Sequence, residues 1–235
     1  MSGGAAERLL GRVVASNNRR MQAHAADRSE PNPRRLGPDH WNQRLEAREH
    51  AIRAEWRAFA QAGRRLPELS DLIDEDQGNQ GSWQAGLLVS RGRPVPPLAD
   101  RFPDTIAALL SVPGMWSALW SVLDAGTELP EHQGPNAGVL RYHLGIDCGA
   151  DSALQVAGTT TPYVDGRGLL FDDTAPHAAW NRGTRRRVTL FCEVVRPARG
   201  ATRLANLAVQ RLLALDHRYA GAPAKAEEWD RTLNS

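Results

Sequence analysis

Residues 128–149 read ELPEHQGPNAGVLRYHLGIDCG, two alternating segments separated by a glycine–proline turn. In the second segment Arg141 and His143 stand two residues apart, so on a β-strand both side chains lie on one face. The leucine and tyrosine residues between and beside them take the opposite face, which is typical of a strand with one apolar side. The stretch therefore predicts two strands joined at a turn, with His132 at the beginning of that turn.

Similar short segments continue this pattern in both directions along the chain. Glycine, proline, aspartate and asparagine separate them, and their spacing of roughly 8–12 residues is typical of a β-sandwich or barrel. The predicted strands cover residues 82–92, 117–126, 127–134, 138–147, 153–158, 161–166, 168–173, 177–181 and 186–196. The expected fold class is mainly β with flanking helices.

Amphipathic helical patterns lie mostly outside this β-rich part. They are predicted over residues 5–22, 42–63, 105–112 and 201–220. We expect an N-terminal helical region at 1–82 that packs on a catalytic core at 83–197, and a C-terminal helix within 198–235 that packs outside. The three parts are expected to form one structural domain.

The composition is that of an ordinary globular chain of 235 residues, with 41% apolar and 24% charged residues. The net charge of +2 gives no reason to expect binding of a nucleic acid polymer. Cys148 and Cys192 lack the spacing of a disulfide scaffold or structural zinc site, and we expect them as buried strand residues. The sequence has no signal peptide and no apolar run of the ~20 residues that span a bilayer, so a cytoplasmic protein without membrane contact is expected.

Three histidines, His132, His143 and His177, fall within the β-rich part. In FDDTAPHAAWNRGTRRRVTLF, residues 171–191, an Asp-Asp turn presents His177 at the start of a strand, and Arg187 follows ten residues later. We expect a hairpin that brings these two side chains onto one wall. Neutral imidazoles bind ferrous iron and arginine binds carboxylates through paired hydrogen bonds, so the pattern suits an iron enzyme with a dicarboxylic co-substrate.

The same residues leave another interpretation open. A strand with arginine and histidine on one face could simply expose a polar side to solvent. The usual facial triad of non-haem iron also has an Asp or Glu two residues after its first histidine, and here that position is Gly134. On the residues alone, the missing carboxylate counts against an iron site.

Two longer segments of the sequence favour an iron site. The segments ELPEHQGPNAGVLRYHLGI and GRGLLFDDTAPHAAWNRGTRRRVTLFCEVVRP resemble the aspartyl/asparaginyl β-hydroxylase family of Fe(II)/2-oxoglutarate-dependent oxygenases. The resemblance runs from about Trp83 to Pro197 and implies a double-stranded β-helix, a cupin-like jelly roll with the metal at its mouth. It implies iron held by two histidines without a carboxylate, so that Gly134 follows the family pattern.

The resemblance also implies roles for individual residues. The implied iron ligands are His132 and His177, and the implied contacts of 2-oxoglutarate are Trp83, Ser121, Arg141, His143 and Arg187. Trp83 and Ser121 rest on shorter local similarity than the others. Gly134 would mark an open coordination position, and Asp173 is a candidate for orienting a ligand histidine.

The implied reaction is that of a non-haem dioxygenase, an oxidoreductase that uses Fe(II), 2-oxoglutarate and O2 to functionalise an unactivated C–H bond. Hydroxylation is the expected outcome. A halogenase is the alternative, because chloride could take the coordination position beside Gly134. A metal-free jelly-roll binding module is an alternative of another class, and a zinc- or manganese-dependent cupin-like enzyme is a third.

The expected substrate is a small molecule with an anionic group, such as a nucleotide, an amino acid or a carrier-bound amino acid in a biosynthetic pathway. The arginines that could bind such a group are Arg91, Arg93, Arg182, Arg185 and Arg186, which could equally well only solvate the barrel rim. Family members that act on protein aspartate are expected to have a second arginine two residues before Arg141. Val139 stands there, so an aspartyl residue of a folded protein is not the expected substrate. The sequence makes no prediction of the oligomeric state.

Overall fold

A computed structural model describes residues 3–25, 29–73, 78–215 and 220–233, with side chains from residue 8 onward. The helices are α1 (Gly3–His24), α2 (Gln43–Glu46), α3 (Glu49–Gln61), α4 (Leu69–Leu72), α5 (Pro103–Leu110), α6 (Gly200–Leu213) and α7 (Ala222–Leu233), with a 3₁₀ turn at Leu98–Arg101. The strands are β1 (Trp83–Ser90), β2 (Arg93–Pro94), β3 (Met115–Leu123), β4 (Thr127–His132), β5 (Val139–Asp147), β6 (Ser152–Val156), β7 (Thr159–Pro162), β8 (Gly168–Phe171), β9 (His177–Asn181) and β10 (Arg187–Val195).

The strands form two antiparallel sheets. One has six strands in the order β2-β1-β3-β10-β5-β8, and the other has four in the order β4-β9-β6-β7. Strands that are distant in sequence are therefore neighbours, as in the jelly-roll form of a barrel. The predicted fold class, mainly β with flanking helices around a double-stranded β-helix, is confirmed.

Strand β5 has the two faces that its alternation predicted. Leu140, Tyr142 and Leu144 belong to a core on the outer face of the six-stranded sheet, which α3 and α5 cover. Arg141 and His143 point the other way and line a cavity inside the barrel. The outer core also holds Trp120, which packs against Trp56 and Phe102, and Phe59 packs against Phe102. Truncation of one such buried aromatic typically costs about 3–5 kcal/mol.

The prediction of a hairpin between His177 and Arg187 is wrong. Strand β9, which begins at His177, pairs with β4 and β6 of the four-stranded sheet. Strand β10, which begins at Arg187, pairs with β3 and β5 of the six-stranded sheet. The intervening segment 182–186 crosses from one sheet to the other, as do the connections from β7 to β8 and from β8 to β9. Both side chains still line the same cavity, from opposite walls.

Other differences from the sequence predictions are local. Strand β7 ends at Pro162, so Tyr163 and the residues up to 166 form a loop in place of the end of the strand expected at 161–166. The helix expected over 42–63 is divided into α2 and α3. Helix α6 ends at Leu213, and residues 216–219 of the helix expected up to 220 lie outside the described residues. Helix α7 was not predicted separately.

Helices α1 and α6 pack on each other and hold the loop that follows His132. Asn17 donates to the Oδ1 atom of Asn206 at 3.0 Å, and the Nδ2 atom of Asn206 donates to the carbonyl of Gly138 at 2.8 Å. Asn136 in that loop donates to Gln210 of α6 at 2.8 Å. Because buried amides are costly to leave unpaired, this network fixes the two helices over one wall of the barrel.

Candidate active site

His132 and His177 are cross-strand neighbours in the four-stranded sheet. The β4–β9 register pairs the two residues, and their ring centroids are 4.1 Å apart. The Nδ1 atom of His132 lies 2.8 Å from the carbonyl oxygen of Pro130, and that of His177 lies 3.0 Å from the carbonyl of Ala175. A carbonyl can only accept, so each Nδ1 is the donor, and Nε2 is the nitrogen of each ring that can bind a metal ion.

This pair fits a ferrous ion. Burial lowers the pKa of the His177 imidazole, which favours the neutral form of the ring that can bind a metal ion. The hydrogen bonds to backbone carbonyls orient both rings in the way that metal-bound histidines usually require. In the part of the chain that the structure describes, no third His, Cys, Asp or Glu completes a metal-binding group with them.

The side-chain space of Gly134 is filled by Asp173. A Cβ atom at position 134 would overlap the Asp173 carboxylate, and the amide of Gly134 donates to the backbone oxygen of Asp173 at 2.8 Å. Glycine is therefore required here by a close approach of the FDD turn. The open coordination position beside Gly134 stays a prediction, and the buried Asp173 carboxylate is the group that lies next to Gly134.

The inner end of the cavity, defined by Trp83, Ser121, His143 and Arg187, is a set of hydrogen-bond donors. Arg187 is 1% exposed and donates through Nη2 to the Ser121 hydroxyl oxygen at 3.0 Å. Trp83 donates through Nε1 to the same oxygen at 3.0 Å. Since Ser121 already accepts two hydrogen bonds, its own proton is available to a further acceptor.

Arg187 has unused donors in a buried place. Its Nε and Nη1 atoms are buried and have no hydrogen-bond partner among the described residues. An unpaired buried cation is costly, and a carboxylate is the group that two guanidinium nitrogens bind most favourably. The inner end therefore requires an anion, and the predicted contacts Trp83, Ser121 and Arg187 are brought together there.

His143 contributes one more unused nitrogen to this end. Its ring is buried, Nε2 has no partner within the described ranges, and Nδ1 lies 2.9 Å from the hydroxyl of Tyr163. Burial lowers the pKa of His143 well below its ordinary value, and the charges of Arg187 and Arg141 lower it further, so the ring is neutral. The sequence analysis did not identify Tyr163, because it predicted a strand over 161–166, whereas Tyr163 lies in the loop after β7.

Arg141 lies between two carboxylates. Its Nε donates to Asp173 at 2.8 Å, its Nη1 pairs with Glu193, and its guanidinium lies 5.0 Å from the ring centroid of Phe191. Glu193 stands directly opposite Arg141 in the β5–β10 register and lines the cavity. It was also missed, although it follows Arg187 by six residues and so lies on the same face of β10.

The cavity extends beyond the metal and anion sites. Its volume is about 840 Å³, toward the upper end of the ~300–1,000 Å³ usual for ligand pockets. We define its outer end by apolar residues that line it, most of them on helices and the others on β1, β3 and the segment after α4. They are Leu10, Gly11, Val14, Leu69, Ile73, Leu87, Trp116, Leu119, Leu213 and Ala222.

Most of the arginines proposed for substrate binding lie elsewhere. Only Arg91 lines the cavity, and it also donates to the carbonyl of Ala214 at the end of α6. Arg182, Arg185 and Arg186 pair with Glu128, Asp147 and Asp124, respectively. None of these three lines the cavity, and neither does Arg93, so the prediction that they bind the substrate has no support from their positions.

The chain is similar to a known protein family. The family profile described as aspartyl/asparaginyl beta-hydroxylase matches residues 46–197, which is more than half of the chain. The chain belongs to this family. The match begins within α2, well before Trp83, so the family region includes part of the N-terminal helical segment as well as the β core.

Curated relatives share this region. The chain is 29% identical over 81% of its length to the ornithine lipid ester-linked acyl 2-hydroxylase of Rhizobium tropici, of which it covers 70%. It is 32% identical over 60% of its length to human aspartate beta-hydroxylase domain-containing protein 2, and covers 38% of that protein. Human aspartyl/asparaginyl beta-hydroxylase is 27% identical over 56% of the chain, which spans 18% of it.

Two solved structures are also similar to parts of this chain. A Pseudomonas putida prolyl-4-hydroxylase has 14% identity and a TM-score of 0.45, with 75% of this chain and 99% of that chain covered. A predicted oxalate decarboxylase from Thermotoga maritima has 13% identity and a TM-score of 0.39, with 56% of this chain and 93% of that chain covered.

Within the described residues, every helix is too short or too polar to cross a lipid bilayer.

Proposed function

We propose that this protein is an Fe(II)- and 2-oxoglutarate-dependent hydroxylase. One observation carries the proposal: a single cavity contains two adjacent histidines with free Nε2 atoms and a buried arginine with two unused donors. A metal ion and a dicarboxylate together satisfy all of these groups. When bound, Fe(II) with 2-oxoglutarate and O2 supplies the oxidation that hydroxylates a C–H bond.

The residues of the chain divide into three roles. His132 and His177 hold the iron. Arg187, with the Ser121 hydroxyl, binds one carboxylate of 2-oxoglutarate through Nε and Nη1, and Trp83 orients the serine. His143 and Arg141, which share a face of β5, contact the rest of the co-substrate. Asp173 holds Arg141 in position and so acts on the site through that arginine.

The outer end of the cavity is proposed as the substrate site. Its lining is mostly apolar, so a substrate with an apolar part gains most from burial there, at roughly 25 cal/mol per Å² of apolar surface. The Rhizobium relative is named for the acyl group of a lipid, a substrate of this kind. Arg91, which also lines the cavity, would bind the anionic group of the expected substrate, a nucleotide, an amino acid or a carrier-bound amino acid.

Halogenation is the second candidate, because no protein carboxylate among the described residues completes the coordination of the two histidines. The carboxylate of Asp173 beside Gly134 counts against it, since a negative charge at short range disfavours a bound chloride. Arg141 offsets part of that charge by pairing with the same carboxylate. We therefore rank hydroxylation first.

The test is reconstitution of the protein with Fe(II) and 2-oxoglutarate under air. Succinate formation is measured with a panel of amino acids, nucleotides and N-acyl amino acids, with and without chloride. Stimulated succinate formation and a product heavier by one oxygen atom are expected. A chlorine isotope pattern in the product would replace hydroxylation by halogenation, and the absence of any 2-oxoglutarate turnover or binding would overturn both.

A further inference from the structure

Tyr163 is the hydroxyl that contacts His143 at the inner end of the cavity. It lies in the loop between β7 and β8, is 4% exposed, and its hydroxyl oxygen is 2.9 Å from the Nδ1 atom of His143. Its ring lies nearly parallel to the imidazole, and the Arg187 guanidinium is 4.9 Å from its ring centroid. Tyr163 thus touches two of the groups assigned to 2-oxoglutarate.

The hydrogen bond between Tyr163 and His143 has two possible directions. If the hydroxyl donates to Nδ1, the imidazole proton is on Nε2. If instead Nδ1 donates, the hydroxyl proton has no other acceptor among the described residues, and Nε2 is a bare lone pair. The second arrangement leaves a buried O–H unpaired and turns a lone pair toward the anion site, and both are unfavourable.

The hydroxyl is able to donate at any ordinary pH. Burial raises the pKa of Tyr163 to about 12, although the nearby Arg187 charge opposes the rise. The Tyr163 hydroxyl therefore keeps its proton and donates a hydrogen bond to Nδ1 of the neutral His143. The Nε2 atom, which has no partner within the described part of the chain, is then a donor.

We propose that Tyr163 is a positioning residue that fixes the tautomer of His143, so that Nε2–H is presented to a carboxylate of 2-oxoglutarate. This inference rests on the proposed function for the identity of the ligand, but not for the hydrogen-bond direction. Tyr163 does not touch the reacting atoms. It acts through His143, as a carbonyl or carboxylate does when it sets the tautomer of a functional histidine.

The chain offers a matched pair of variants for the test. Tyr163→Phe keeps the aromatic ring beside His143 and Arg187 but removes the hydroxyl. Tyr142→Phe removes another buried hydroxyl, one that contacts Glu46 on the opposite face of β5. Both variants lose one buried hydrogen bond, so comparable changes of thermal midpoint are expected, and only the first is expected to alter the co-substrate site.

Two measurements decide the outcome. In the metal-free protein with ¹⁵N-labelled histidine, the nitrogen spectrum is expected to show the His143 proton on Nε2, and a mixture of tautomers in Tyr163→Phe. Calorimetric titration with 2-oxoglutarate is expected to show a dissociation constant about tenfold higher for Tyr163→Phe, the loss expected for weakening one hydrogen bond to a charged group. Tyr142→Phe is expected to match the wild-type protein in both.

A wild-type His143 with its proton on Nδ1 would overturn the proposal, and so would unchanged 2-oxoglutarate affinity in Tyr163→Phe. Failure of the proposed function gives a different pattern. In that case the wild-type protein binds no 2-oxoglutarate at all, while the nitrogen spectrum still reports the tautomer of His143 independently.

Discussion

The inner end of the cavity is lined by polar side chains on neighbouring barrel strands, whereas the outer end is lined mostly by apolar side chains on helices. At the inner end, Trp83, Ser121 and Arg187 stand on the adjacent strands β1, β3 and β10 and orient one another. At the outer end, Leu10, Val14 and Leu213 belong to α1 and α6, which pack outside the barrel.

This difference indicates what each end can recognise. Strand register fixes donors to within the tolerance of a hydrogen bond, which suits one invariant co-substrate. An apolar wall on separate helices makes few directional demands, so it can be changed for a different substrate without disturbing the barrel. We expect substitutions at the inner end to affect every reaction of the protein, and substitutions at the outer end to affect only the substrate.

The largest effect is expected from His177→Ala at the metal pair. With one imidazole left, Fe(II) loses half of its protein ligands, and both bound iron and succinate formation are expected to fall to background. His50→Ala, on the exposed face of α3, is the control and is expected to retain both. Full 2-oxoglutarate turnover in His177→Ala would remove the metal role of this residue. A binding module would give no turnover in either protein and would keep its ligand in the variant.

The second effect concerns the anion site. Arg187→Met is expected to weaken 2-oxoglutarate binding by a factor of about 10² to 10³, because a buried charge pair loses one partner. The same variant is expected to raise the thermal midpoint of the ligand-free protein by a few degrees, since an apolar side chain replaces an unsatisfied buried cation. Calorimetry and thermal unfolding measure the two quantities.

Opposite signs for binding and stability distinguish a functional arginine from a structural one. If the thermal midpoint of Arg187→Met fell sharply while the affinity for 2-oxoglutarate stayed the same, Arg187 would belong to the core and not to the anion site. Arg196→Met is a useful comparison, because Arg196 is also buried but pairs with Asp172 and does not line the cavity.

The two ends also differ in how much the sequence could predict. Alternation along 138–147 identified the inward face of β5 correctly, since a two-residue period decides both fold and site there. Alternation from Arg187 would also have placed Glu193 in the cavity. The contact between Tyr163 and His143 could not be predicted, because it depends on the path of a loop 20 residues further along the chain. The outer end depends on how helices pack over the barrel, which no local pattern determines.

A smaller effect is expected at the outer end, where Gly11 of α1 lines the cavity and a Cβ atom there would meet open space. Gly11→Trp is expected to fill this end and to lower substrate-stimulated turnover about tenfold, while the dissociation constant of 2-oxoglutarate stays unchanged. Gly11→Ala is the control, expected to stabilise α1 by up to about 1 kcal/mol without loss of turnover. Equal loss of co-substrate binding in Gly11→Trp would show that the two ends are not independent.

The smallest effect is a pH dependence that originates at the inner end. The pKa of His143 is lowered in the folded protein, mainly by burial, so the unfolded chain binds a proton that the folded one does not. Its contribution to stability is therefore complete above the unfolded pKa of about 6.5, and is lost by up to about 1.4 kcal/mol per pH unit as the pH falls below that value. His143→Gln cannot take up this proton. The free energy of unfolding of the metal-free proteins can be measured with urea at several values between about pH 6.5 and pH 5. It should fall less steeply with decreasing pH in the variant than in the wild-type protein. An equal dependence on pH would mean that His143 is protonated in the folded state as well.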